Sequence, residues 1–251
     1  MTKGENLAET RIEGDAPEQS YKWLRRFLPA WLQPVLRGLR KRLAKEGYRA
    51  DEPFCHIYHH TQVSIPRQDF MLAECQRIVA EGIEGSFVEC GVLDGGTAAL
   101  MAWVARGEDR DIELFDAWQG MPPASPEDGP GAEKWVGEII GSPRRVEAVL
   151  RRVGARAPCI KVNRGWFDET LPISKIERIA FLHVDCDFYE PVKLVLETFV
   201  PRIASGGVVQ IDDYQSFEGC RVAVNEYLTA NPQFRLEIED RPAGAIYFRI
   251  P

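Results

Sequence analysis

Hydrophobic positions fall into short unbroken runs, and between the runs apolar residues return every three or four positions. The runs are Phe87-Val-Glu-Cys-Gly91, Asp111-Ile-Glu-Leu-Phe-Asp116, Pro158-Cys-Ile-Lys-Val162, Phe181-Leu-His-Val-Asp185 and Val208-Val-Gln-Ile-Asp212. Their length and their β-branched and aromatic content predict buried strands. Helical spacing separates them. Phe70, Met71, Cys75, Ile78 and Val79 mark a helix over residues 67–82, followed by Thr97–Ala105, residues 142–153, Pro191–Ala204 and Phe217–Thr229. Pro191 suits a first helical turn, and Gly206-Gly207 predicts the turn into the fifth strand. Two alternating runs, Phe234–Asp240 and Ala245–Ile250, flank Arg241-Pro-Ala-Gly244 and predict a closing hairpin. Strands alternating with helices make an α/β fold around a mainly parallel sheet, with an antiparallel strand added at one edge.

Upstream of the first run the pattern changes. Residues 1–20 are polar, acidic and aperiodic, which predicts a tail. Residues 21–46 carry eight basic residues against one acid. Trp23, Phe27, Trp31 and Leu32, then Val35, Leu36, Leu39 and Leu43, lay apolar faces beside those cations, with Pro29 and Pro34 as breaks. Such a segment suits peripheral contact with an anionic membrane face. It equally suits packing as a lid on its own domain or on a second copy in a homo-oligomer. The chain therefore divides into a tail (1–20), a basic amphipathic segment (21–60) and one large domain (61–251).

Composition narrows the class. With 45% hydrophobic and 27% charged residues and a net charge of −7, the chain reads as a globular protein, and its acidic body argues against nucleic acid as partner. The six cysteines are scattered with no CxxC pair, which points to a reducing compartment and away from zinc. No run approaches the length of a membrane span and the N-terminus lacks the pattern of a secretory leader, so the cytoplasm is the expected location.

The chemistry sits where the runs end. Asp185 and Asp187 close one strand and Asp212 and Asp213 the next, in a region where open α/β sheets bind ligands. Aspartates converging with no Lys or Arg inside either motif suit a hard, oxygen-liganded cation such as Mg²⁺. The competing reading is that they cap the helices that follow. After the first strand, Glu89-Cys-Gly91 leads through Gly95-Gly96 into a helix starting at Thr97. This is a glycine-rich turn of nucleotide-binding type without a phosphate-loop signature, which suits a nucleoside with a non-phosphate tail, although such glycines also serve packing. Asp116 ends the second strand, where an acid accepts bonds from ribose hydroxyls or simply closes a turn. The Pro/Gly-rich residues 121–134 predict a mobile loop and a substrate lid, and one of His59 and His60 is a candidate to face the site.

Taken together, Phe87-Val-Glu-Cys-Gly-Val92, Gly95-Gly96, Asp116 through Gly120-Met-Pro122, Asp168-Glu-Thr-Leu-Pro172, Asp185-Cys-Asp-Phe-Tyr-Glu190 and Ile211-Asp-Asp-Tyr214 resemble the macrocin O-methyltransferase family. That family includes the mycinamicin and novobiocin sugar O-methyltransferases. The resemblance spans about residues 61–230. It implies a Rossmann-like class I fold with a seven-stranded sheet, S-adenosylmethionine (SAM) and Mg²⁺ as cofactors, and methylation of a sugar hydroxyl on a small-molecule or glycan acceptor. Carried over by motif, Asp185, Asp212 and Asp213 would ligate the metal and Asp187 would be the base, one pleat beyond Asp185. The roles of Asp185 and Asp187 could also be exchanged. Glu89, Gly91, Gly95, Gly96, Thr97, Asp116 and Trp118 would line SAM. Leu93-Asp94 stands where family members often carry an aromatic–basic pair. A catechol-like or other vicinal diol as acceptor, or a non-catalytic SAM-binding protein that docks on a membrane, remain alternatives at this stage.

Overall fold

The computed structural model describes Pro29, Leu32 and residues 48–251, so the expected acidic tail and nearly all of the basic segment lie outside the described residues. In chain order the elements are α1 (Phe54–Ile57), α2 (Ile65–Ala80), β1 (Ser86–Cys90), α3 (Gly96–Val104), β2 (Ile112–Asp116), α4 (Pro143–Arg152), β3 (Ile160–Arg164), α5 (Phe167–Thr170), β4 (Ile179–Val184), α6 (Tyr189–Phe199), β5 (Ile203–Ile211), α7 (Glu218–Ala230), β6 (Glu237–Ile238) and β7 (Ile246–Arg249). The seven strands form one sheet in the order β3-β2-β1-β4-β5-β7-β6. The first five run parallel, and β7 pairs antiparallel with both β5 and β6. The predicted parallel sheet with its terminal hairpin is therefore the observed architecture.

Period two along each strand assigns side chains to two cores. Phe87, Ile112, Leu114, Phe181 and Val208 face α1 to α4. Val88, Cys90, Phe115, Leu182, Val184, Val209 and Ile211 face α5 to α7. All six residues of β4 are buried, as befits a central strand covered on both sides. Register aligns Glu89, His183 and Gln210 as neighbours on β1, β4 and β5. They form a polar row inside the first core, and all three are fully buried.

Strand order reverses between β1 and β4, since the chain runs outward through β2 and β3 before returning to β1's other side. Ligands of open α/β sheets bind beyond the carboxyl ends of strands at such a switch point. Two expectations shift here. Gly206-Gly207 does not precede β5 but lies inside it, at a register break where Ile179 pairs with Ile203 and Phe181 with Val208. Gly206 has φ 78°, so the pair supplies a bulge rather than a hairpin-type turn. The 121–141 loop carries two 3₁₀ turns, Pro126–Asp128 and Ala132–Trp135, and is docked on the body rather than standing clear of it. Among the described residues no helix is long and apolar enough to cross a membrane, and the described cysteines are all free thiols.

Candidate active site

Two sets of residues meet at the switch point, one on the β1–β2 side and one on the β4–β5 side. On the first, Gly91 has φ 92°, and a Cβ there would lie 1.8 Å from the Asp185 carbonyl oxygen. What approaches Gly91 is therefore the end of β4, whose Asp185 N–H donates to the Cys90 carbonyl at 2.9 Å. The same holds for the double glycine. A Cβ on Gly95 would meet Val146 of α4 at 2.9 Å, and one on Gly96 would meet Thr61 at 2.6 Å. Packing against protein accounts for these glycines in this structure.

Asp116 organises the turn between β1 and α3. Its Oδ2 accepts the N–H groups of Val92 and Leu93 at 2.8 and 2.9 Å, and its Oδ1 accepts that of Trp118 at 2.6 Å. Burial pushes its carboxyl upward, and those three N–H donors pull it back. Trp118, at φ 52°, buries its indole in the core and donates its ring N–H to the Leu93 carbonyl at 2.9 Å. Thr97 is buried in the first turn of α3. Glu89 Oε1 lies 2.9 Å from His183 Nδ1, while Glu89 Oε2 is buried without a hydrogen-bond partner. Asp94, at the departure from the family pattern, is paired with Arg145 of α4 at 3.1 Å.

On the second side, Asp185 and Asp212 each stand one residue past a strand, and Asp213 follows. One oxygen from each of these three carboxylates lies within 4.8 Å of the others. Asp187 joins them by a different route from the one expected. Strand β4 ends at Val184, so no pleat carries Asp187 to the site. It sits instead at φ 62° in a three-residue turn closed by Phe188 N–H on the Cys186 carbonyl at 2.7 Å. Asp185 and Asp187 both crowd against the carboxyls of Asp212 and Asp213. Burial first, and then mutual repulsion, raises Asp185 and Asp187 well above the carboxylate range and Asp213 to about 6.

The helix-cap reading fails for these acids. Neither α6 nor α7 takes a cap bond from its own N-cap side chain, since the N-caps are Phe188 and Phe217. The Tyr189 N–H at the start of α6 goes to Asp128 Oδ1, 2.7 Å away in the 121–141 loop. The four aspartates are thus left facing one another. Asp212 Oδ1 and Asp213 Oδ2 are buried with no hydrogen-bond partner, an arrangement that costs free energy unless a cation satisfies it. An all-carboxylate donor set fits a hard divalent cation and not a soft one.

Other candidates lie elsewhere. His60 is buried with Nδ1 3.1 Å from the Asp94 carbonyl, and burial followed by the nearby Arg145 lowers it to about 4, so it is neutral. The hydroxyls of Tyr189 and Tyr214 are spent on Glu226 and Asn225 of α7, at 2.7 and 2.9 Å. Three participants were not singled out from the sequence. His183 hides in an apolar strand, and Arg67 carries no motif. Asp128 was detectable, because Ser125-Pro-Glu-Asp128 is a capping box.

Comparison with known proteins fits this geometry. The sequence profile of the family described as Macrocin-O-methyltransferase (TylF) matches residues 11–249. The chain is 32% identical over 177 residues, 67% of each chain, to the 8-demethyl-8-(2,3-dimethoxy-α-L-rhamnosyl)-tetracenomycin-C 4'-O-methyltransferase of Streptomyces olivaceus. It is 29% identical over 177 residues, again 67% of each, to the demethyldecarbamoylnovobiocin O-methyltransferase of Streptomyces niveus. Among solved structures, the O-methyltransferase NovP superposes with a TM-score of 0.70 at 24% identity, covering 88% of this chain and 99% of that one. The calicheamicin methyltransferase CalS11 superposes with a TM-score of 0.68 at 20% identity, covering 99% of each. These last two speak for the fold.

Proposed function

The chain belongs to the macrocin O-methyltransferase family, and from that premise we propose that it transfers a methyl group from SAM to a sugar hydroxyl of a natural-product glycoside or related glycan, with a divalent cation, Mg²⁺ by its chemistry, at the aspartate cluster. The observation that carries the cation is the convergence of Asp185, Asp212 and Asp213 within 4.8 Å, with buried oxygens of Asp212 and Asp213 unpartnered. The sugar acceptor rests on the relatives, whose names specify natural products and, in the tetracenomycin enzyme, a rhamnosyl group.

SAM brings a methyl group activated by its sulfonium. On the β1–β2 side, Glu89 Oε2 is a buried acceptor without a partner, and Asp116 keeps about one lone-pair position beyond its three N–H bonds. These two carboxylates are the polar contacts we assign to the cofactor. Gly91, Gly95, Gly96, Thr97 and Trp118 shape the turn that holds them. On the β4–β5 side, Asp185, Asp212 and Asp213 would hold the cation. When bound, a divalent cation lowers the pKa of a ligated hydroxyl, which a sugar alcohol needs to act as a nucleophile. Asp187 accepts the proton that leaves as the new O–C bond forms and the S–C bond breaks. The cluster and the cofactor turn are joined at Gly91 and Asp185, so both halves are held in one frame.

Mass-spectrometric assay of methyl transfer to a panel of natural-product glycosides, rhamnosylated ones included, is the test. Turnover should need a divalent cation, stop in EDTA and return with Mg²⁺. The Asp212→Asn protein should bind S-adenosylhomocysteine normally yet lose turnover. Undiminished activity in EDTA would remove the cation from the reaction, and turnover of simple catechols without any glycoside would remove the sugar.

A further inference from the structure

Arg67 is the one cationic side chain that touches the aspartate cluster among the described residues. It lies in the first turn of α2, far in sequence from both acidic motifs. Its Nη1 donates to Asp212 Oδ2 at 2.8 Å, and the two side chains are only 13% and 8% exposed. The other oxygen, Asp212 Oδ1, is buried and unpartnered. A second tie runs through the backbone, since Gln210 Nε2 donates to the Arg67 carbonyl at 3.4 Å. The first turn of α2 is thereby fastened to Gln210 of β5 and to Asp212 just beyond its end.

Two roles for such an arginine make opposite demands. As a neutraliser, Arg67 would only offset the charge of four carboxylates. It would then compete with a cation, and removing it would tighten metal binding. As an orienter, it would consume one oxygen of Asp212 and so leave the other aimed at the ion, in the way partners of ligating carboxylates fix their direction. The geometry favours the second. The guanidinium takes a single oxygen of Asp212, although a bidentate grip on both oxygens is the usual arginine–carboxylate arrangement. The oxygen left over is the one with no partner. The arginine is also held from its own backbone, which a diffuse neutraliser would not need.

We propose that Arg67 is a positioning residue for the cation site, fixing Asp212 so that Oδ2 is spent on the guanidinium and Oδ1 is reserved for the metal. This rests on the cation reading of the aspartate cluster given above. It adds to the site a residue contributed by α2, the helix that enters directly from the N-terminal segment.

The test is metal affinity, read by calorimetry with Mg²⁺ and by electron paramagnetic resonance with Mn²⁺, on the wild-type full-length protein, Arg67→Met and Arg67→Lys. Thermal melts in EDTA and S-adenosylhomocysteine titrations accompany each to report folding and the cofactor half. Arg67→Met should weaken metal binding by roughly 10- to 100-fold, the usual effect of removing a partner of a ligating group. Arg67→Lys, which keeps the charge but not the planar grip, should fall between it and wild type. S-adenosylhomocysteine affinity should be unchanged in both. Tighter or unchanged metal binding by Arg67→Met, with Arg67→Lys like wild type, would overturn the proposal in favour of simple neutralisation. If Arg67→Met does not fold, the lysine variant decides: wild-type affinity overturns the proposal and a loss supports it. Failure of the wild type itself to bind either ion would overturn the cation reading, and with it this inference, and is seen separately in the same titration.

Discussion

Asp187 reaches the cluster from a left-handed backbone conformation, φ 62°, that costs a non-glycine residue about 1–2 kcal/mol unless the side chain suits it. Asn tolerates that conformation as well as Asp does, so Asp187→Asn isolates the carboxylate from the turn. If Asp187 is the base, that variant should lose roughly 10²- to 10⁴-fold in turnover while keeping cofactor affinity. Its melting temperature in EDTA should hold or rise, because one of four mutually repelling acids is gone. Wild-type turnover by the Asn variant would reassign the proton to another group. The acids themselves were readable in the sequence as strand ends, but the path was not. A pleat from Asp185 to Asp187 presumed that β4 continued, whereas the strand stops at Val184 and a tight turn does the work. Glu89 was likewise legible as an acid in a glycine turn. Its partner His183 was not, because cross-strand register, which sets them 2.9 Å apart, cannot be read from either run alone.

At the scale of elements, the loop expected over residues 121–134 carries contacts that its composition does not reveal. Its Pro, Gly and Ser content predicts mobility, yet Asp128 anchors it by accepting Ser125 N–H at 2.7 Å, Ser125 Oγ–H at 2.9 Å and Tyr189 N–H at 2.7 Å. Met121, Ala132 and Phe188, with Trp135 and Phe217 against them, form a small apolar cluster beneath it. Phe188 follows Asp187 and Phe217 lies four residues after Asp213, so this loop buttresses the acidic turns as well as covering them. Asp128→Ala leaves two backbone N–H groups without their acceptor and should cost about 1–3 kcal/mol in chemical denaturation. Hydrogen exchange should rise across residues 121–141 and the first turn of α6 while β1 and β2 stay protected. Uniform loss of protection would mean the loop is integral to the global core. Burial dictates the pattern of the strongly periodic elements and places most of them, but the helix expected over Pro191–Ala204 ends at Phe199, and β5 starts at Ile203, inside that expected helix. The interior bulge at Gly206-Gly207 reads as a turn in the sequence because two glycines punctuate a chain in the same way in both settings.

Over the whole molecule, two buried groups pull stability in opposite directions over nearly the same range of pH. His60 is lowered from 6.5 to about 4, so between those values the unfolded chain binds more protons, and folding gains stability as pH rises. Asp213 is raised from 3.8 to about 6, so there the folded chain binds more protons, and folding loses stability as pH rises. Asp185 and Asp187, raised in the same direction, add to that loss from the same unfolded value of 3.8, so in protein stripped of metal the three aspartates outweigh His60 from pH 4 to 6. The same burial and crowding raise Asp185 and Asp187 further still, so their loss continues above pH 6, where His60 no longer opposes it. A cation at the cluster binds the deprotonated carboxylates and removes the aspartate contribution, leaving the gain from His60. The melting temperature in EDTA should therefore fall from about pH 4 upward, whereas with saturating Mg²⁺ it should climb to about pH 6.5 and then hold. The gap between the two curves should widen with pH, and replacing Asp213 by Asn should narrow it. Parallel curves with and without Mg²⁺ across this range would mean that no cation draws on these carboxylates, and that the acids at the ends of β4 and β5 serve the fold in some other way.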